Sequence, residues 1–110
     1  MSVSQQRRLE EKERRREEII DAAERVIAAK GFEAAKMEEI GREARVSRAL
    51  VYTYFKDKTE LYFAICERAL DLLRERFEAA IALEARGIDQ VAAIGRAYIV
   101  FAQELPFLFT

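Results

Sequence analysis

The residues whose types and spacing could do chemistry are gathered in one segment. It is Ile40-Gly41-Arg42-Glu43-Ala44-Arg45-Val46-Ser47-Arg48-Ala49-Leu50-Val51-Tyr52-Thr53-Tyr54-Phe55-Lys56-Asp57-Lys58. It reads as two short helices joined by a tight turn. Ser47 is a good N-cap for the second helix. Val51 and Phe55, one turn apart, should face a core with Val46, which turns Arg48, Ala49, Tyr52 and Thr53 to the opposite side. A helix with that division can enter a DNA groove and read base edges while Tyr and Lys hold the flanking phosphates. Both tyrosines turned inward would leave Thr53 on no coherent face, so at least one should be exposed. The chemistry of catalysis is poorly served. The chain has no His, a single Cys in a packing context, no Gly-rich phosphate loop and no Ser nucleophile motif. No Glu-x-x-His arrangement exists for a metal, and no cofactor is implied.

The reader segment must be held by helices on either side. Ile19, Ile20, Ala23, Val26 and Ile27 form one apolar stripe, predicting a helix from about Arg14 to Lys30. Gly31 supplies a stop, with Phe32 set to pack back on Ile27 in a Schellman ending. A second helix, about Met37 to Ala44, carries Glu38 and Glu39 in its first turn, which favours the dipole. Asp57-Lys58-Thr59-Glu60 reads as a capping box. It opens a long helix to about Arg86, whose apolar positions (Leu61, Ile65, Ala69, Leu72, Leu73, Ala80, Ile81, Leu83) predict neighbours on more than one side. Gly87-Ile88 repeats the Gly-then-hydrophobe stop, and a last helix runs from about Asp89 to Glu104. The apolar end, Leu105 to Thr110, looks like that of an interrupted protein. Residues 1–13 are a frayed arm or a solvated helical extension, with Glu10–Arg14 and Glu11–Arg15 placed as i,i+4 pairs. They are either a solvated charged face or a basic arm that touches phosphate or enters the minor groove beside the reader helix.

Composition bounds the class. At 110 residues and 51% hydrophobic, the chain is at most one ordinary domain with a real core. One Pro and four Gly favour long helices and an all-α fold. The net charge of -1 argues against a uniformly basic nucleic-acid binder. Sorted by region, however, residues 36–58 hold six basic and four acidic side chains, a local balance of +2. Cys66 should pack as a small hydrophobe, and no signal peptide or membrane span is evident, which fits the cytoplasm.

Lys30-Gly31-Phe32, Met37-Glu38-Glu39-Ile40, Val46-Ser47-Arg48 and the string from Tyr52 to Leu61, in that phase, resemble the N-terminal domain of a TetR-family transcriptional regulator. The likeness covers about residues 14–62, and the following helices fit the start of that family's regulatory domain. It divides the chain into an arm (1–13), a helix-turn-helix domain (14–60) and the beginning of a ligand-binding and dimerisation domain (61–110). It implies a homodimer on a palindromic double-stranded operator, acting as a repressor released by a small-molecule effector. By that resemblance Ser47, Arg48, Ala49 and Thr53 approach bases and their flanking phosphates. Tyr52, Tyr54 and Lys58 grip phosphates, with Lys56 beside them. Lys36 and Met37 stand at the start of the second helix, where the family places Thr or Ser. Arg48 is the residue suited to a bidentate guanine contact, worth about 1–3 kcal/mol of discrimination.

Three residues depart from the family pattern. Arg45 occupies the inter-helix turn where Gly is common, and a positive φ there would cost Arg about 1 kcal/mol; a phosphate contact would offset it. Lys36 replaces an N-cap hydroxyl. Leu50 either touches a thymine methyl or packs. Tyr62, Phe63, Phe77, Tyr98 and Phe101 either pack or floor an effector pocket. Family members run to about twice this length, so the 110 residues alone are expected to be largely monomeric and to bind operator weakly. The competing reading is a helical interaction module without DNA binding.

Overall fold

The computed structural model describes residues 2–84 and 86–109, and these contain helices and no strand. The order is α1 (Val3–Lys30), α2 (Met37–Ala44), α3 (Arg48–Tyr54), α4 (Lys58–Ala82), α5 (Gly87–Glu104) and a short 3-10 helix (Pro106–Phe109). The chain divides within α4 into two compact units, Met1–Ile65 and Cys66–Thr110.

The first unit is built on the predicted stripe. Ile19, Ile20, Ala23 and Ile27 of α1 are buried with Met37 and Ile40 of α2, Val51 of α3, Phe55, and Leu61 and Ile65 of α4. Each large side chain withdrawn from water contributes about 1.5–3 kcal/mol. Two charged contacts tie α1 to α2. Arg25 donates to Glu43 at 2.7 Å, and Lys30 pairs with Glu39. The Lys30 ammonium, hydrogen-bonded to Glu39, holds that carboxyl below its ordinary range.

Of the two readings of the N-terminal segment, α1 takes the solvated helical extension. It is helical from Val3 because Ser2 and Gln5 cap each other. The Gln5 N–H donates to Ser2 Oγ at 3.2 Å, and the Ser2 N–H donates to Gln5 Oε1 at 3.0 Å. Arg14 pairs with Glu18 at 3.8 Å where the exposed part of α1 meets the buried stripe. At the other end Gly31 adopts φ 85° and ψ 162°, a conformation open essentially to Gly alone, and its N–H donates to Ile27 O at 2.7 Å. That ψ is not left-handed helical, so the ending is not the Schellman form. Phe32 instead meets the Tyr62 ring, 5.1 Å between centroids at 58°.

In the second unit, Ala69, Ala93 and Phe101 are buried, and Arg76 joins Glu104 at 2.6 Å. α4 stops at Ala82 rather than Arg86. The Gln90 side chain donates to the carbonyls of Ile81 and Glu84, closing that end. Gly87 is thus the first residue of α5, with Arg86 as its N-cap, and not a stop for α4. The apolar positions of this part of α4 and of the turn after it are incompletely covered: Leu70 and Ile81 of the helix face outward, and Leu83 beyond its end is 84% exposed. Among the described residues, no helix is long and apolar enough to cross a membrane.

Candidate nucleic-acid interface

The turn between α2 and α3 sets the geometry of the site. Arg45 has φ 61° and ψ 40°, the only non-Gly residue with positive φ among those described. This lets the Val46 N–H reach back to Gly41 O at 2.9 Å and reverses the chain within one turn. Gly41 makes the close crossing possible. A Cβ there would stand 3.1 Å from the Val46 carbonyl oxygen and 3.4 Å from Val51 Cγ2.

α3 then starts at Ser47, whose Oγ accepts the Leu50 N–H at 3.1 Å. Val51 and Phe55 point into the core at 0% and 2% exposure. Ser47, Arg48, Ala49, Tyr52 and Thr53 are exposed together on the other face, and Tyr54 is half-buried at its margin. The Arg48 guanidinium lies 5.6 Å from the centre of the Tyr52 ring, a cation–π contact that orients both side chains. The Thr53 hydroxyl donates to Ala49 O at 3.1 Å, which leaves its oxygen as an outward acceptor. Lys36, Arg45 and Lys56 are exposed around this face, and Leu50 is half-buried, in keeping with packing. Lys36 caps α2 by backbone alone, without a side-chain hydrogen bond, as its replacement of a hydroxyl residue predicts.

Two members of the expected set are corrected. Met37 is 7% exposed and belongs to the core, so its side chain does not line the surface. The Lys58 ammonium turns inward and donates to the carbonyls of Phe32 at 2.6 Å, Ala35 at 3.1 Å and Glu33 at 3.3 Å, over the Phe32 ring at 4.4 Å. With its three donors engaged, the side chain staples the start of α4 to the α1–α2 connection. A cation in the first turn of a helix opposes the dipole, and that was the sequence signal for another employment. The capping box is also displaced: Asp57 accepts the Glu60 N–H at 2.8 Å, but Glu60 accepts from Lys56.

The five aromatics offered as a pocket floor are divided between the two units. Tyr62 packs on Phe32 and Phe63 is 68% exposed in the first unit. In the second, Phe101 is core, Phe77 is half-buried and Tyr98 is largely exposed. Sequence reasoning also missed Arg16, whose guanidinium lies 5.3 Å from the centre of the Phe55 ring, where α3 ends.

The helix-turn-helix so described is matched by a family model. Residues 19–65 fit the model of bacterial regulatory proteins of the tetR family, from the first buried residue of α1 to the last residue of the first unit. Residues 19–65 are a TetR-family segment. Among curated relatives of this chain, the HTH-type transcriptional regulator BetI of Rhizobium meliloti is 40% identical over 82 residues, which is 74% of this chain and 40% of the relative. The HTH-type transcriptional activator FasR of Mycolicibacterium smegmatis is 30% identical over 92 residues, 84% of this chain and 42% of its own length. Among solved structures, a TetR-family regulator from Haemophilus influenzae superposes with a TM-score of 0.72 at 26% identity, over 88% of this chain and 53% of that one. The fatty acid degradation regulator FadR from Bacillus halodurans, at 19% identity, shares the fold with a TM-score of 0.77 over 84% of this chain and 49% of that one. The chain spans less than half the length of the curated relatives it matches.

Proposed function

We propose that this chain is the DNA-reading part of a sequence-specific transcriptional regulator. The observation that carries the reading is the division of α3, with Val51 and Phe55 buried and Arg48, Ala49, Tyr52 and Thr53 displayed together. In the major groove Arg48 contacts a guanine edge, held in place by Tyr52. Ser47, Thr53 and Tyr54 reach phosphates and sugars, and Arg45, Lys36 and Lys56 supply the surrounding positive charge. Two subunits on a palindromic operator place their α3 helices about 34–36 Å apart. In this reading the protein acts in the cytoplasm as a homodimeric repressor that a small molecule releases, without enzymatic activity; the names of its relatives support a transcriptional regulator, and one of them is an activator. Duplex affinity measured across salt tests it. Association should weaken steeply as salt rises, with a slope set by the number of phosphates neutralised. A chain that bound no duplex at any salt would be a helical interaction module instead.

A further inference from the structure

α1 leaves the core well before it begins. Residues 2–15 are exposed throughout, whereas the buried stripe starts at Ile19. Thirteen residues at 1.5 Å each give an overhang of about 20 Å. It springs from the end of the reader helix, where Arg16 covers Phe55. The face that carries Ile19, Ala23 and Ile27 continues toward the N-terminus through Arg16, Arg15, Lys12 and Arg8, a spacing of i, i+4, i+7 and i+8. At 3.6 residues per turn these four cations share a sector of about 100° that holds no carboxylate. Glu10, Glu13 and Glu17 fall on the opposite side together with Arg7 and Arg14, and Glu11 and Glu18 lie between. The rest of the overhang therefore mixes its signs, and this stripe alone is free of acid. The side chains keep reach: Arg8 makes a long 3.5 Å contact with Ser4 O, and Arg16 stands 3.6 Å from Glu17.

We propose that this stripe is a second, sequence-independent DNA contact, in which Arg8, Lys12 and Arg15 neutralise phosphates flanking the half-site read by α3. The proposal rests on the DNA-binding reading above and deepens it. A helix about 10–12 Å wide cannot enter a minor groove about 6 Å wide, so the overhang lies against the backbone. Its 20 Å match about six base pairs at about 3.4 Å each. The family match begins at Ile19, so the overhang lies outside the shared segment.

The test uses the whole chain and fluorescence anisotropy on two duplexes with the same selected half-site, one carrying flanking base pairs and one trimmed of them. The triple variant R8Q/K12Q/R15Q keeps helix-forming residues, and its helicity is checked by circular dichroism. Each phosphate contact contributes about 0.9 to the salt slope, so three contacts make the parent lose about 40-fold more affinity than the variant between 50 and 200 mM salt on the long duplex. On the trimmed duplex the two proteins should bind alike. L9P, which breaks the overhang while leaving its charges, should also abolish the difference between duplexes. Parallel salt lines for parent and triple variant on the long duplex overturn the proposal while leaving the role of α3 intact. A parent that binds neither duplex at any salt overturns the underlying reading instead.

Discussion

Replacing Arg45 by Gly isolates the backbone cost of the turn between α2 and α3. Arg45 sits at φ 61° and ψ 40°, where Cβ crowds the following carbonyl, and its side chain is exposed, so little packing is lost with it. The left-handed conformation costs a residue bearing Cβ about 1–2 kcal/mol. The greater freedom of Gly in the unfolded chain returns about 0.4–1 kcal/mol of that. The net expectation is that Arg45→Gly stabilises the fold by about 0.5–1 kcal/mol, a Tm rise of about 2–8 °C for a unit of this size. Arg45→Ala is the control, because it removes the charge and keeps Cβ. Thermal and urea unfolding of the three proteins should rank Gly above parent and Ala near parent. A Gly variant no more stable than the parent refutes the strain argument, as does an Ala variant that gains as much as Gly. If the Arg also touches a phosphate, as proposed, the Gly variant loses about 0.9 from the salt slope of DNA binding.

Gly41→Ala should lower stability by about 1 kcal/mol net of the gain in helix propensity, read as an earlier urea midpoint, because the new Cβ meets at 3.1 Å the carbonyl oxygen of Val46, whose own N–H is bonded to Gly41 O. Lys58→Met should cost about 1.5–3 kcal/mol in the same assay, since the carbonyls of Phe32, Glu33 and Ala35 lose a charged donor. Glu39 gives a pH signature. Its carboxyl is held below the ordinary value of 4.5 by Lys30, so its contribution is fully present above that pH and is lost as pH falls through the lower folded value. Acid unfolding of Glu39→Gln should lack that component, leaving a shallower decline below about pH 4.5 than in the parent.

What could be read in advance was what periodicity and local chemistry determine. The stripe of Ile19, Ala23 and Ile27, the cap at Ser47 and the inward pair Val51 and Phe55 are one-dimensional patterns, and each appears in the fold. The positive φ at Arg45 was foreseen as a condition of the turn. What escaped depends on partners far along the chain. Lys58 looked like a surface cation because its acceptors lie 23–26 residues away. Met37 was legible as an inner-face residue of α2 from its spacing with Ile40, and only its added assignment to the DNA contact set, taken from the family pattern, is at odds with its burial. Of the two readings of residues 1–13, a frayed arm or a solvated helical extension, the fold takes the second; the choice turns on the Ser2–Gln5 cap, because a helix without an apolar face gives no periodic signal. Gly87 had the look of a stop, but the Gln90 amide, three residues on, closes α4 from the side.

The central claim is that α3 reads sequence through Arg48. The most direct measurement is selection of bound duplexes from a random library by the parent and by Arg48→Ala, followed by affinities for the selected site and its single-base variants. The account predicts a half-site containing a guanine that the parent requires and the Ala variant no longer distinguishes, with discrimination at that one position falling by about 1–3 kcal/mol. A selected half-site that is the same for both proteins, with equal discrimination at every position, would contradict it.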